Sequence, residues 1–496
     1  MNRSRDRQWE TIDYNSLYLD SRKYRRRKQK SGFFSQFCLI FMVFSLFIFG
    51  KTFTAFGQKL GFSKSGQEVF SEGEKGKTLA PVSKEISDTD RLAAALVSQE
   101  ERALFLPEKY DYRLIDRAPN IKNQGILGTC WAFASLTAIE TAVRGDFNFS
   151  EDHMSLSNSF GFSQNDGGEY TMSMAYLAAW QGPVWEKDDP YGDGYSPKNL
   201  QAVKHVQEMQ IIPQKDHLAI KEAVYLQGGV QSSLYTSMRS TQDYSVYYHE
   251  KNYAYYYNGT ESPNHDVVIV GWDDDYPKEN FHIQPEGNGA FLCVNSWGKD
   301  FGDKGYFYVS YYDFNLGVHN LTYTKIEEND NYDKIYQSDY CGWIGQLGYG
   351  KDSAYFANVY TTEEKESLSA VGFYATDQYT EYSVYIARNV SDPKNMKNYE
   401  FLTSGTFRYA GFYTVELPES VLLNDNERFS VIVKITTPNS VHPVAVEYAG
   451  EDNRIKIDLS DGEGYISQSG KEWENIEESQ QSNICLKAYT RKVETE

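Results

Sequence analysis

In the stretch NQGILGTCWAFASLTAIET, residues 123–141, a single cysteine, Cys130, stands where a polar, glycine-bearing approach gives way to an apolar run with helical spacing. A thiol at a helix N-terminus meets the positive end of the helix dipole and unpaired backbone N–H groups, and both favour thiolate over thiol. Nucleophilic catalysis by sulfur further needs a base within hydrogen-bond reach, a group that orients the base, and donors for the developing oxyanion. Of the eight histidines, His265 opens a strongly apolar strand pattern, HDVVIVGW, whose rigid backbone would hold an imidazole still. Asn295 and Trp297 follow in VNSWGKDFGDKGYFYVSYY. A metal reading of His265, Asp266 and Asp273 to Asp275 is weaker, because these residues fall at two ends of one strand and no further His or Cys completes a transition-metal set.

These elements resemble those of the papain-like (C1 family) cysteine peptidases. The family's Q-x5-C-W pattern is present from Gln124 through Cys130 and Trp131, the His element as NHDVVIVGW, and the Asn element as NSWGKDFGDKGYFYVS. Cys130 and His265 are 135 residues apart, inside the range of about 130 to 150 for such enzymes. The resemblance covers residues 105 to 325 and implies an α+β, two-lobed peptidase. It implies that Cys130 is the nucleophile, His265 the proton carrier, Asn295 the group that holds the imidazole, and Gln124 an oxyanion donor. It also implies that Gly167 and Gly168 line the substrate cleft, that Asn264 sits near the pocket reading the substrate's second residue, and that Trp297 shields the His–Asn bond. No cofactor is required. Two departures stand out: Leu127 occupies the place of a cysteine that often braces the first helix, and an insertion, DDDYPKENFHIQPEGNG, separates the His and Asn elements.

The elements that must position these groups follow the same order. CWAFASLTAIETAVRG has helical periodicity and ends at Gly145, whereas HDVVIVGW, GAFLCVNSW and KGYFYVSYY alternate or run apolar between turn residues. Around EENDNYDK, residues 327–334, a charged stretch marks a domain boundary. Beyond it the pattern is short strands only, among them SAYFANVYT, EYSVYIAR and RFSVIVKIT, which suits an all-β, jelly-roll-type sandwich over residues 328–496. This part resembles the lectin-like domain that follows the peptidase in clostridial-type cell-surface cysteine proteases, through YQSDYCGWIGQLGY and SAYFANVYTTEEKESLSAVGFYA. The fold alone does not assign it a ligand. Surface glycans and a structural calcium ion stay open for it, as does a pairing of Cys341 with Cys485.

Composition narrows the setting. The 496 residues carry a net charge of -20, which argues against nucleic acid as a partner. The charge is uneven: residues 1–32 hold ten Lys or Arg against four acids and run into the apolar stretch FFSQFCLIFMVFSLFIFG, residues 33–50. A basic tail before an apolar segment reads as a signal-anchor, or a signal peptide, with the acidic body facing outward. Residues 51–104, rich in Gly, Ser, Lys and Glu, read as a linker or pro-segment with one short helix near residue 95. The expectation is therefore a peptidase at the cell surface, or secreted if the segment is cleaved, acting on proteins or peptides and touching the membrane through its N-terminus. The rival readings are a surface adhesion or glycan-binding protein built on a peptidase scaffold, and a transpeptidase.

Overall fold

The computed structural model describes residues 12–13 and 106–493, apart from 239, 240, 242, 439, 450–453 and 456. The basic tail, the apolar segment and the short helix expected near residue 95 lie outside the described residues. Among the described residues no helix is long and apolar enough to cross a membrane.

Four helices precede or interleave with the first strands: α1 (Cys130–Val143), α2 (Glu151–Leu156), α3 (Tyr170–Ala178) and α4 (His217–Leu226). Every residue of α1 from Trp131 to Thr141 is buried, so it is a central helix with no solvent face over that stretch, its Glu140 paired with Lys122. It packs on α3 and on two strands, β3 (His265–Asp273) and β6 (Asn320–Glu328). Around them run β1 (Lys204–Ile211), β2 (Val230–Leu234), β4 (Ala290–Val294) and β5 (Tyr306–Ser310). The insertion between the His and Asn elements is the connection of the β3–β4 hairpin, with one 3-10 turn at Lys278–Asn280.

The second part begins with β7 (Lys334–Tyr336) and β8 (Gly345–Leu347), followed by β9 (Ser353–Thr361), β10 (Glu366–Ala375), β11 (Thr380–Ala387) and β12 (Glu400–Phe407). It continues through β13 (Ala410–Leu423), β14 (Arg428–Thr436), β15 (Val444–Tyr448), β16 (Gly464–Ser467), β17 (Ser482–Ile484) and β18 (Leu486–Lys492). One sheet has the order β12-β11-β14-β9-β16. It faces β10, β13 and β18 across a core that includes Phe356, Phe373, Val384, Phe429, Val431, Val433 and Ile435. The alternation of Phe429, Val431, Val433 and Ile435 along β14 gives the sandwich its inner face.

The two parts are not beads on a string. β13 pairs with β1 (Ala410↔Ile211 to Tyr413↔Glu208), and β1 pairs on its other side with β6. A single sheet therefore runs β7-β18-β10-β13-β1-β6-β2-β3-β4-β5 from the sandwich into the first part. Cys341 and Cys485, whose pairing the sequence leaves open, are both free and buried. Cys293 is buried in β4, where it acts as a small apolar side chain.

Candidate active site

Cys130 is the first residue of α1, and Thr129 is its N-cap. The Thr129 hydroxyl makes no capping bond; it lies 2.7 Å from the Tyr191 hydroxyl, which itself donates to the Gln124 carbonyl at 2.9 Å. Without a side-chain cap, the first N–H groups of the helix stay available. Those of Cys130 and Trp131, with the backbone N–H of Asp266, face the sulfur and favour its ionised form. They are outweighed. Loss of solvent and, after it, the Asp266 carboxylate push the Cys130 thiol up to about 12.

β3 supplies His265 as its first residue, and Asn295 follows directly on β4. The antiparallel register of the hairpin brings them together, so that the His265 Nε2 donates to Asn295 Oδ1 at 2.8 Å. The same oxygen accepts the backbone N–H of Ser296 at 2.8 Å, which fixes the amide orientation. This bond sets the tautomer and leaves Nδ1 as the ring nitrogen open to a reacting partner. Burial pushes the imidazole down to about 4, with the Asn295 bond acting the other way. The Trp297 ring covers the pair, its centroid 4.9 Å from that of His265.

Gln124 is tied to the same loop. Its backbone N–H donates to the Ser296 carbonyl at 2.8 Å, and the Ser296 hydroxyl donates to Gln124 Oε1 at 2.5 Å. Its Nε2 donates to the Leu127 carbonyl at 2.8 Å, which employs one of two amide hydrogens. A residue's length away, Asn123 and Trp297 form a β-bridge. Residues 122–124 and 296–298 are thus stitched together, which ties Gln124 to the loop that follows Asn295.

Gly167 and Gly168 follow the loop after α2 and lie near the start of α1. Gly167 has φ +83°, and a Cβ on Gly168 would come within 2.4 Å of Trp131 Nε1, so only glycine lets this backbone lie against the residue after Cys130. The Asn264 side chain is committed elsewhere: it accepts from the Thr236 N–H and donates to the Thr236 carbonyl, at 2.8 and 2.9 Å. These two bonds fix the orientation of its amide.

One neighbour of the sulfur carries no catalytic role in the sequence reading. Asp266 is buried beneath the site, accepting from Ser233 Oγ at 2.7 Å and Gln231 Nε2 at 2.9 Å. Strand alternation offers a signal for it: with His265 facing the cleft edge, the next residue points to the other face of β3. Among the described residues no cluster of His, Cys, Asp and Glu suits a metal ion.

Residues 106–326 match the papain family of cysteine proteases, and residues 335–490 match the lectin-like domains. A cathepsin L-like protein of Caenorhabditis elegans is 28% identical over 216 residues, 41% of this chain and 59% of that protein. A cathepsin L-like peptidase of Aedes aegypti is 29% identical over 211 residues, 40% of this chain and 58% of its own length. The chain therefore spans less than two thirds of these relatives. Among solved structures, the clostridial cysteine protease Cwp84 after propeptide cleavage superposes with a TM-score of 0.68 at 27% identity, covering 78% of this chain and 99% of that one. A structure of the cysteine protease and lectin-like domains of Cwp84, described as a surface layer associated protein of Clostridium difficile, gives 0.68 at 28%, covering 78% and 89%.

Proposed function

The chain carries a papain-family cysteine peptidase domain joined to a lectin-like domain, and from that premise we propose that it is an endopeptidase acting on proteins outside the cytoplasm through Cys130, His265 and Asn295. The observation that carries the reading is the 2.8 Å bond from His265 Nε2 to Asn295, which leaves Nδ1 free, while the Cys130 sulfur at the start of α1 meets the backbone N–H of Asp266, the next residue after His265.

Loss of solvent disfavours both charged forms, pushing the thiol up and the imidazole down. The proton passes from Sγ to Nδ1 as the sulfur attacks the peptide carbonyl. The oxyanion is met by the free Nε2–H of Gln124 and the backbone N–H of Cys130. His265 then gives the proton to the leaving amine as the C–N bond breaks, and an acyl-enzyme thioester remains. Water attacks that thioester, passing a proton to His265, which returns it to the departing thiolate. Asn295 keeps the ring in the tautomer both half-reactions need, and Trp297 keeps water from the bond that holds it. Gly168 offers main-chain pairing to the substrate.

The outward location is supported by the basic tail ahead of the apolar segment and by the likeness to a surface layer associated protein. The domain limits proposed are residues 105–327 for the peptidase and 328–496 for the lectin-like sandwich. The latter would present the peptidase to its surroundings, surface glycans included. Alkylation by a thiol-directed epoxide, read by intact mass, tests the chemistry together with cleavage of denatured casein. Both should occur in the wild type and vanish in Cys130→Ala; a wild type that is neither labelled nor active would end the peptidase reading.

A further inference from the structure

The segment 158–168 leads from α2 to Gly167 and Gly168 and is bonded on two sides. On the peptidase side, the Gly128 N–H donates to the Gln164 carbonyl at 2.7 Å, and Gln164 Nε2 donates to Asp152 Oδ1 at 2.6 Å and Ser155 Oγ at 2.9 Å. Gly128 is two residues before Cys130, and a Cβ on it would lie 3.0 Å from the Gly167 nitrogen.

On the other side stands the lectin-like part. Phe160 and Ile455 form an antiparallel β-bridge, and the Gly161 N–H donates to the Arg454 carbonyl at 2.6 Å. The Arg454 guanidinium lies 5.1 Å from the centre of the Phe162 ring and 3.7 Å from the Asp166 carboxylate. Cys341, whose sulfur is 3.6 Å from the Ser159 carbonyl, packs with Ile344, Ile455 and Phe160 in one apolar cluster. The fit is close, because a Cβ on Gly161 would lie 3.2 Å from the Arg454 carbonyl oxygen.

A connection of this length would otherwise lose much backbone entropy when it pairs with a peptide. Held from both sides, it is already ordered before substrate arrives. We propose that Arg454 and Ile455 are positioning residues for peptide binding: through 158–168 they hold Gly167 and Gly168 where an extended substrate main chain pairs with them. The lectin-like part is then a wall of the cleft. This inference rests on the peptidase reading above.

The test uses the full chain with Arg454→Ala, Arg454→Lys and Gly161→Val, the last wedging a larger side chain into the seam. Each is assayed on a hexapeptide with four residues before the scissile bond and on a dipeptide amide, with iodoacetamide alkylation of Cys130 as a check on the nucleophile. Arg454→Ala should raise KM for the hexapeptide about three- to tenfold, since the stacked and exposed ionic contacts are individually weak. Its kcat, the dipeptide kinetics and the alkylation rate should stay at wild-type values. Gly161→Val should act in the same direction more strongly, and Arg454→Lys should recover part of the loss. Equal effects on long and short substrates, a fall in kcat with slower alkylation, or no change at all would each overturn the assignment. A wild type that neither cleaves nor is alkylated would overturn the peptidase reading itself, so the two failures are told apart.

Discussion

Replacing Gln124 by alanine separates a residue that stabilises the transition state from one that merely braces the site. In the free protein Gln124 makes two side-chain bonds, to the Leu127 carbonyl at 2.8 Å and from the Ser296 hydroxyl at 2.5 Å. Losing these should cost about 1 kcal/mol of stability each, or about 2 in all. Losing one oxyanion donor should raise the barrier by about 2.7 to 4 kcal/mol, which is a fall of roughly 10² to 10³ in kcat. KM should change little, because the donor engages the tetrahedral oxyanion rather than the ground-state carbonyl. The assay is steady-state hydrolysis of a peptide substrate set beside alkylation of Cys130 by iodoacetamide, which displaces iodide and develops no oxyanion. Alkylation should proceed at nearly the wild-type rate. If it slows in step with kcat, Gln124 acts by ordering the loop of Asn295 and Ser296, and the oxyanion role is refuted. A loss of less than about fivefold in kcat would refute it equally.

Asp266→Asn should speed the reaction of Cys130 with iodoacetamide at pH 7, because the carboxylate raises the thiol pKa and its removal enlarges the thiolate fraction. A slower reaction would show that Asp266 serves the site through its bonds to Ser233 and Gln231. His153 is buried against the Tyr176 hydroxyl, and burial lowers its pKa from 6.5 to about 4. The unfolded chain therefore binds a proton there that the folded chain does not, and the stability it contributes is complete above pH 6.5 and lost as pH falls toward 4. Buried Glu447 and half-buried Glu463, each raised to about 8, change with the opposite sign. The readout is consequently the Tm of His153→Gln relative to wild type, which should rise between pH 6.5 and 4.5; a constant difference would contradict the assignment.

The thiol, imidazole and amide of the candidate site could be picked out because each sits at an element boundary that the chain marks: Cys130 where polarity ends, His265 where an apolar strand starts, and Asn295 where one stops. The strands of the sandwich were legible for a similar reason, since RFSVIVKIT and SAYFANVYT alternate over a buried face. β12 was not, because EFLTSGTF is an outer strand of Ser, Thr and Gly with few buried side chains. Asp266 escaped because its effect depends on which face of β3 meets α1. The seam at Arg454 and the pairing of β1 with β13 join residues about 200 or more positions apart, and no local pattern encodes such partners.

The shared sheet bears on how this molecule comes apart. β1 is an interior strand only while Ala410 to Tyr413 lie along it. Removing the lectin-like part after residue 328 would bare the Glu208–Ile211 edge, a row of unpaired backbone groups ready to recruit another chain. The hydrogen-bond ladder gives neither half a clean border along which to melt, so heat should dissolve both in one transition. Through the shared sheet the lectin-like half should unfold together with the peptidase half, not as a separable accessory.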